Sequence, residues 1–131
     1  HQECYNKILI LNMCWLFTRN KKKKDPFSVY NNEYRELLSK LSSLLKQNKN
    51  NGQMEFINKL KLHIENDRFN NFGRDINALD MWGGAGAVWE VYIEDYQLRK
   101  EFEITILKLI NLMKKSQKLK RRVRYIEKNL K

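Results

Sequence analysis

Apolar positions recur at three- and four-residue steps over most of this chain, the period of an amphipathic helix. After the Asp25-Pro26 break, Tyr34, Leu37, Leu38, Leu41, Leu44 and Leu45 form one stripe. That stripe predicts a helix with Asn31 or Asn32 as its N-cap, and Asn48-Lys49-Asn50-Asn51-Gly52 reads as its stop and turn. A second set, Met54, Ile57, Leu60, Leu62 and Ile64, predicts a helix returning antiparallel to the first. From Asp67 to Asp80 the period lapses, and a polar connection containing Phe69, Phe72 and Gly73 is expected. Phe102, Ile106, Leu109, Ile110, Met113, Leu119, Val123, Ile126 and Leu130 then continue one stripe. They predict a long C-terminal helix, bent near Ser116-Gln117. The expected fold is therefore all-α, a single-domain helical bundle with a long basic C-terminal helix.

Two segments depart from this pattern. Ile8 to Phe17 is almost wholly apolar and is followed by Arg19 and Lys21 to Lys24. It is too short to cross a bilayer, which takes roughly twenty residues, and no small-residue cleavage site follows it. A buried helix is expected, with attachment to an anionic membrane surface as the alternative. The second departure is Leu79-Asp80-Met81-Trp82-Gly83-Gly84-Ala85-Gly86-Ala87-Val88-Trp89-Glu90, which holds three of the five glycines between two tryptophans. Glycine allows backbone conformations and close approaches that a Cβ forbids, so this cluster marks a specific turn. Val88 to Glu94 is rich in strand formers, but a lone strand would have no partner, so a helix starting just after Gly86 is expected. The glycines lack the lysine and hydroxyl of a phosphate loop. Their expected role is structural, with the chain passing close to a neighbouring helix while Trp82 and Trp89 pack on either side.

Composition agrees with a helical domain. A chain of 131 residues, 42% hydrophobic and 31% charged, can bury a core without staples, and one proline with five glycines disfavours a turn-rich β fold. It divides into an apolar helix and basic loop (1–24), a main bundle (25–113) and a basic helix end (114–131). Cys4 and Cys14 have no histidine nearby and are expected as small buried hydrophobes in a reducing compartment.

The charge is uneven. Residues 114–131 hold nine Lys/Arg against Glu127, and residues 19–24 add five more, whereas residues 25–113 carry eleven basic and thirteen acidic residues. The net charge of +11 thus sits in two short segments on a faintly acidic body. Tyr125 among Lys118, Lys120, Arg121, Arg122 and Arg124 suits contacts to phosphates, which makes non-specific nucleic-acid binding, or an anionic membrane surface, one expected role. No residue set for reading bases is evident.

The chemistry-bearing residues are few. His63, the only histidine beyond the first residue, lies on an apolar helix and is expected to be packed or at the surface rather than catalytic. Glu90 and Glu94 fall one helical turn apart, as paired metal-binding carboxylates do, but no Glu-x-x-His accompanies them. A solvated acidic face is expected, with no metal, no cofactor, no small-molecule substrate and no catalysis.

Gly84-Ala85-Gly86-Ala87-Val88 followed by Glu90, set between two helical halves, resembles the glycine turn of small bacterial immunity proteins of polymorphic toxin systems. The resemblance spans roughly residues 31–113. It implies a cytoplasmic, non-enzymatic protein that neutralises a cognate protein toxin by binding it; a position at the inner membrane surface is the alternative. Acidic side chains around an aromatic anchor suit a basic partner. The residues expected to make that contact are Asp80, Trp82, Trp89, Glu90, Glu94 and Asp95.

Overall fold

A proline at the first position of a helix sacrifices no intrahelical hydrogen bond, and the described part of the chain begins this way. The structure, a computed structural model, describes residues 25–130. The apolar segment 8–17, Cys4, Cys14 and the basic run 19–24 lie outside the described residues. Helix α1 (Pro26–Val29) is capped by Asp25, whose carboxylate accepts from Phe27 N at 2.9 Å. It is followed by α2 (Asn31–Gln47), α3 (Asn51–Glu65), α4 (Phe69–Ile76) and α5 (Leu79–Trp82). After a 3-10 turn (Val88–Glu90) come α6 (Tyr96–Ser116) and α7 (Arg121–Leu130). Among the described residues there is no strand, and the fold is all-α.

The central pair follows the apolar stripes. Tyr34, Leu38, Leu41, Leu44 and Leu45 of α2 are buried against Ile57, Leu60 and Ile64 of α3. Ser42 Oγ donates to Asn58 Oδ1 at 2.7 Å midway along this antiparallel pair. Leu62 differs from expectation, because it stands off the Ile57–Leu60–Ile64 row and is 53% exposed, while His63 turns inward. The N-cap of α2 also differs. Helix α1 runs almost directly into α2, so Tyr30 flanks both, and Asn31 and Asn32 are already helical.

Both helices of the pair stop in the same way, without glycine. Lys49 (φ 61°) and Asp67 (φ 56°) take the left-handed conformation one residue past the C-caps. Asn50 N then donates to Leu45 O and Arg68 N to His63 O, each at 2.9 Å. These bonds satisfy carbonyls that a helix end leaves open. Gly52, expected in the turn, lies instead in the first turn of α3.

The segment expected as a polar connection contains a helix. Phe69, Phe72 and Ile76 share a face of α4, and Phe72 meets Phe27 and Tyr34 edge-to-face, with ring centroids 5.1 and 5.0 Å apart. So short a helix is marginal alone and holds through this aromatic cluster.

The C-terminal stripe is correct in its inward residues but not in its continuity. Helix α6 buries Phe102, Ile106, Leu109, Ile110 and Met113 and ends at Ser116, whose hydroxyl bonds the buried Tyr34 phenol. Burial pushes that phenol's pKa up. Gln117 is extended and exchanges amide hydrogen bonds with Asn77 at 2.9 and 3.3 Å. The chain then turns through Leu119 into α7, which returns Val123 and Ile126 to the core. One long helix is thus replaced by two, divided where the bend was expected. A continuous helix would have carried Val123 and Ile126 away from the core that now buries them.

Candidate functional site

The glycine turn is a rigid platform, held from three sides. Trp82 is 2% exposed and donates its indole N–H to Ile76 O at 2.6 Å. Trp89 Nε1 donates to Gly83 O at 3.0 Å, and Arg122 Nε from α7 donates to Trp82 O at 3.0 Å. From α3, Gln53 Nε2 reaches Gly86 O at 3.1 Å. Two glycines are required by this geometry. Gly86 has φ 87°, and a Cβ at Gly83 would stand 2.6 Å from Leu79 O. Gly83→Ala should therefore cost about 1–3 kcal/mol. Gly84→Ala, where a Cβ meets nothing within 4 Å, should stay within about 0.5 kcal/mol of the parent. Urea unfolding of the two variants checks the contrast; equal midpoints would show that the turn relaxes freely.

Beyond the platform, Val88 to Glu94 does not form the expected helix. A single 3-10 turn is followed by an extended strap, residues 91–94. Ile93 is 1% exposed and Val91 half-buried, whereas Tyr92 is 75% exposed and Glu94 is exposed. The alternation is that of extended backbone with one apolar face on the core. Asn48 Nδ2 holds Tyr92 O at 2.8 Å, and Asp95 caps α6 by accepting from Leu98 N at 2.8 Å. Tyr96, 58% exposed, opens that helix beside Arg99 and Lys100. Against the strap lies a groove of 740 Å³ whose acidic residues are Glu94, Asp95 and Glu101. Gln47, Asn48 and Gln97 line it as well. The Tyr96 ring thus already has cations against it, and Glu101 pairs with Lys40 at 3.5 Å, so the exposed Tyr92 ring and the carboxylates of Glu94 and Asp95 are what this surface offers a cationic side chain.

The structure divides the six residues expected to bind a partner. Glu94 and Asp95 share the strap groove, and Glu90 is exposed at the head of the strap. Asp80 opens onto a different groove, beside Gln53 and Lys59. Trp82 is in the core and Trp89 is half-buried under Gly83, so the tryptophans are anchors of the turn and not of a partner. Tyr92, Tyr96 and Glu101 are absent from the expected set. The signal for Tyr92 is the in–out alternation from Val91 to Glu94, which a helical reading conceals; Tyr96 and Glu101 lie beyond it on α6. Glu90 and Glu94 lose the shared helical face expected of them, since residues 91–94 are not helical. Among the described residues no three His, Cys, Asp or Glu side chains are placed to hold a metal ion.

His63 is packed, 6% exposed, and donates from Nε2 to Asp75 Oδ2 at 2.9 Å. Arg74 Nε reaches Asp75 Oδ1 at 2.9 Å, and Lys59 stands 3.5 Å from Oδ2. The Arg74 guanidinium, then the His63 and Lys59 contacts, draw the Asp75 carboxyl down to about 2 against the cost of desolvation. This cluster ties α3 to α4.

The basic residues expected to meet phosphates are collected at one end. Lys118, Lys120, Arg121, Arg124 and Tyr125 are exposed. Arg122, also exposed as a residue, turns its guanidinium onto the glycine platform. Lys114 pairs with the buried Glu127, pinning α7 to α6. Among the described residues, no helix is long and apolar enough to cross a membrane.

The fold and surface define a class: a small all-α domain that presents an acidic, tyrosine-bearing strap at one place and a basic end at another. No known protein family, curated protein or solved structure matches the chain.

Proposed function

We propose that the chain is a non-catalytic protein-binding module of the immunity type, acting in the cytoplasm and neutralising a cognate toxin by occluding it. The observation that carries the reading is the strap, where Tyr92 and Tyr96 stand exposed near Glu94 and Asp95 on a backbone held by the Asn48 amide. A rigid aromatic contact needs little ordering on association, and tyrosine with flanking charge is characteristic of binding hot spots. The net negative groove favours a basic partner such as a nuclease toxin, with charge speeding encounter. The glycine-turn resemblance points the same way, although the contact surface lies just beyond the turn and not on its tryptophans.

Co-expression with candidate toxins tests the reading through rescue of growth. Tyr92→Ala combined with Glu94→Lys should abolish rescue and weaken binding about thirtyfold or more, the effect of losing about 2 kcal/mol at a hot spot. Both side chains are exposed, so the thermal midpoint should hardly move. Rescue that survives the double substitution, or no rescue by the parent with any candidate, would overturn the proposal.

A further inference from the structure

Two grooves adjoin across the connection between α6 and α7. One, of 490 Å³, is walled by α1, α4 and the connection, and its cations are Arg74, Lys118 and Lys120. The other, of 700 Å³, lies between the end of α6 and α7 and carries Lys114, Lys118, Arg124 and Lys128. Gln117 and Lys118 line both, so the two share a wall. Six cations therefore border this pair of grooves, against the carboxylates of Asp25 and Glu127, and two of the six are already paired, Arg74 with Asp75 and Lys114 with Glu127. Those carboxylates are engaged, Asp25 as the cap of α1 and Glu127 with Lys114.

We infer that these adjoining grooves form a binding track for single-stranded nucleic acid, with the lysines and arginines on the phosphates and Tyr125 as a stacking platform beside it. Cations spread over two grooves are more than one phosphate group can contact, which favours a polymer. Tyr125 stands outside both grooves but is 60% exposed on α7, next to Arg124 and one helical turn from Lys128, which line the second groove, so an unpaired base leaving that groove can lie on its ring. Phe69, half-buried, adds a second aromatic wall. Duplex bases are already stacked and cannot use either ring. A membrane surface fits less well, because the aliphatic residues Val123 and Ile126 of α7 are buried and leave its outer face a single ring, Tyr125, among charges. Asn70 and Asn77 line the first groove and can donate to sugar or phosphate oxygens without reading sequence.

The test is fluorescence anisotropy of the full chain with labelled single-stranded oligonucleotides, the matching duplexes and phosphatidylserine vesicles. With about four net phosphate contacts, single-strand affinity should fall about 50-fold between 50 and 200 mM salt. Lys118→Glu with Arg124→Glu should weaken binding more than about tenfold and flatten the salt dependence. Tyr125→Ala should cost about tenfold. Lys46→Glu with Lys108→Glu, an equal charge change on α2 and α6, should leave affinity within about twofold; circular dichroism verifies that all variants fold. The inference is overturned by absence of binding at 50 mM salt, by equal or tighter duplex binding, by equal losses in the two charge-reversal pairs, or by binding to vesicles alone.

Discussion

Trp82→Ala is expected to lower the unfolding free energy by about 3–5 kcal/mol, the range for truncating a buried aromatic side chain. Two losses combine at this position. The indole is 2% exposed within the main core cluster, so its removal opens a cavity where α5 packs beneath α7. It also deprives Ile76 O, at the end of α4, of its indole donor. The Arg122 contacts to Trp82 O and Gly83 O depend on the same backbone, so α7 should loosen with the turn. In a domain of ordinary stability, about 5–15 kcal/mol, this is a large fraction of the total. Urea unfolding with tryptophan fluorescence, together with hydrogen exchange along α7, provides the measurement. A cost below about 1 kcal/mol, as for a surface residue, would mean that the glycine turn is not anchored through Trp82.

The second large effect concerns Asp75. Its carboxyl titrates near 2 in the folded protein, below the ordinary value of 3.8, chiefly through Arg74 and then through His63 and Lys59. Because the folded pKa is the lower one, the unfolded chain binds more protons in the interval between them. Stability therefore rises with pH through that interval, is complete above about pH 4, and is lost as the pH falls towards 2. The linked stabilisation is about 2 kcal/mol at neutral pH. Asp75→Ala should cost about 2–3 kcal/mol at neutral pH, since it leaves the 6% exposed His63 without its acceptor. Asp75→Asn should remove the acid-dependent part while retaining one acceptor for the histidine. Urea midpoints from about pH 2 to 6 decide the matter: if the parent and Asp75→Asn lose stability in parallel, the acid sensitivity belongs to other carboxylates.

Some of the site could be read from the residues alone. Glu90, Glu94 and Asp95 are legible as acidic groups next to the glycine turn, and they are exposed there. The basic set around Tyr125 is legible in the same way. The aromatic partners are not, because a large ring with charged neighbours looks alike in sequence whether it fills the core or faces solvent. Trp82 and Trp89 are consumed by hydrogen bonds to Ile76 O and Gly83 O, while Tyr92 and Tyr96 face outwards. The strand formers from Val88 to Glu94 argue for a strand, but a strand there has no partner. Extended backbone held by one side-chain amide, Asn48 on Tyr92 O, is a solution that a helix-or-strand choice leaves out. Arg74 and the amides beside it became part of the basic end only because α4 packs next to the α6–α7 connection.

Periodicity alone determined that the chain is helical, that α2 and α3 pair along leucine and isoleucine stripes, and that the break at Ser116-Gln117 matters. These follow from spacing along one element, a local property that each stripe carries within itself. The tertiary structure decided that α4 is a helix, since its aromatic face gains stability only against Phe27 and Tyr34. It also decided that α7 folds back, because the Asn77–Gln117 amide pair and the Arg122 contacts join residues about forty apart. The strap's outward tyrosines and the approach of Arg74 to Lys118 and Lys120 belong to this second kind. Burial and convergence are relations between elements, and no single stretch of sequence contains both partners.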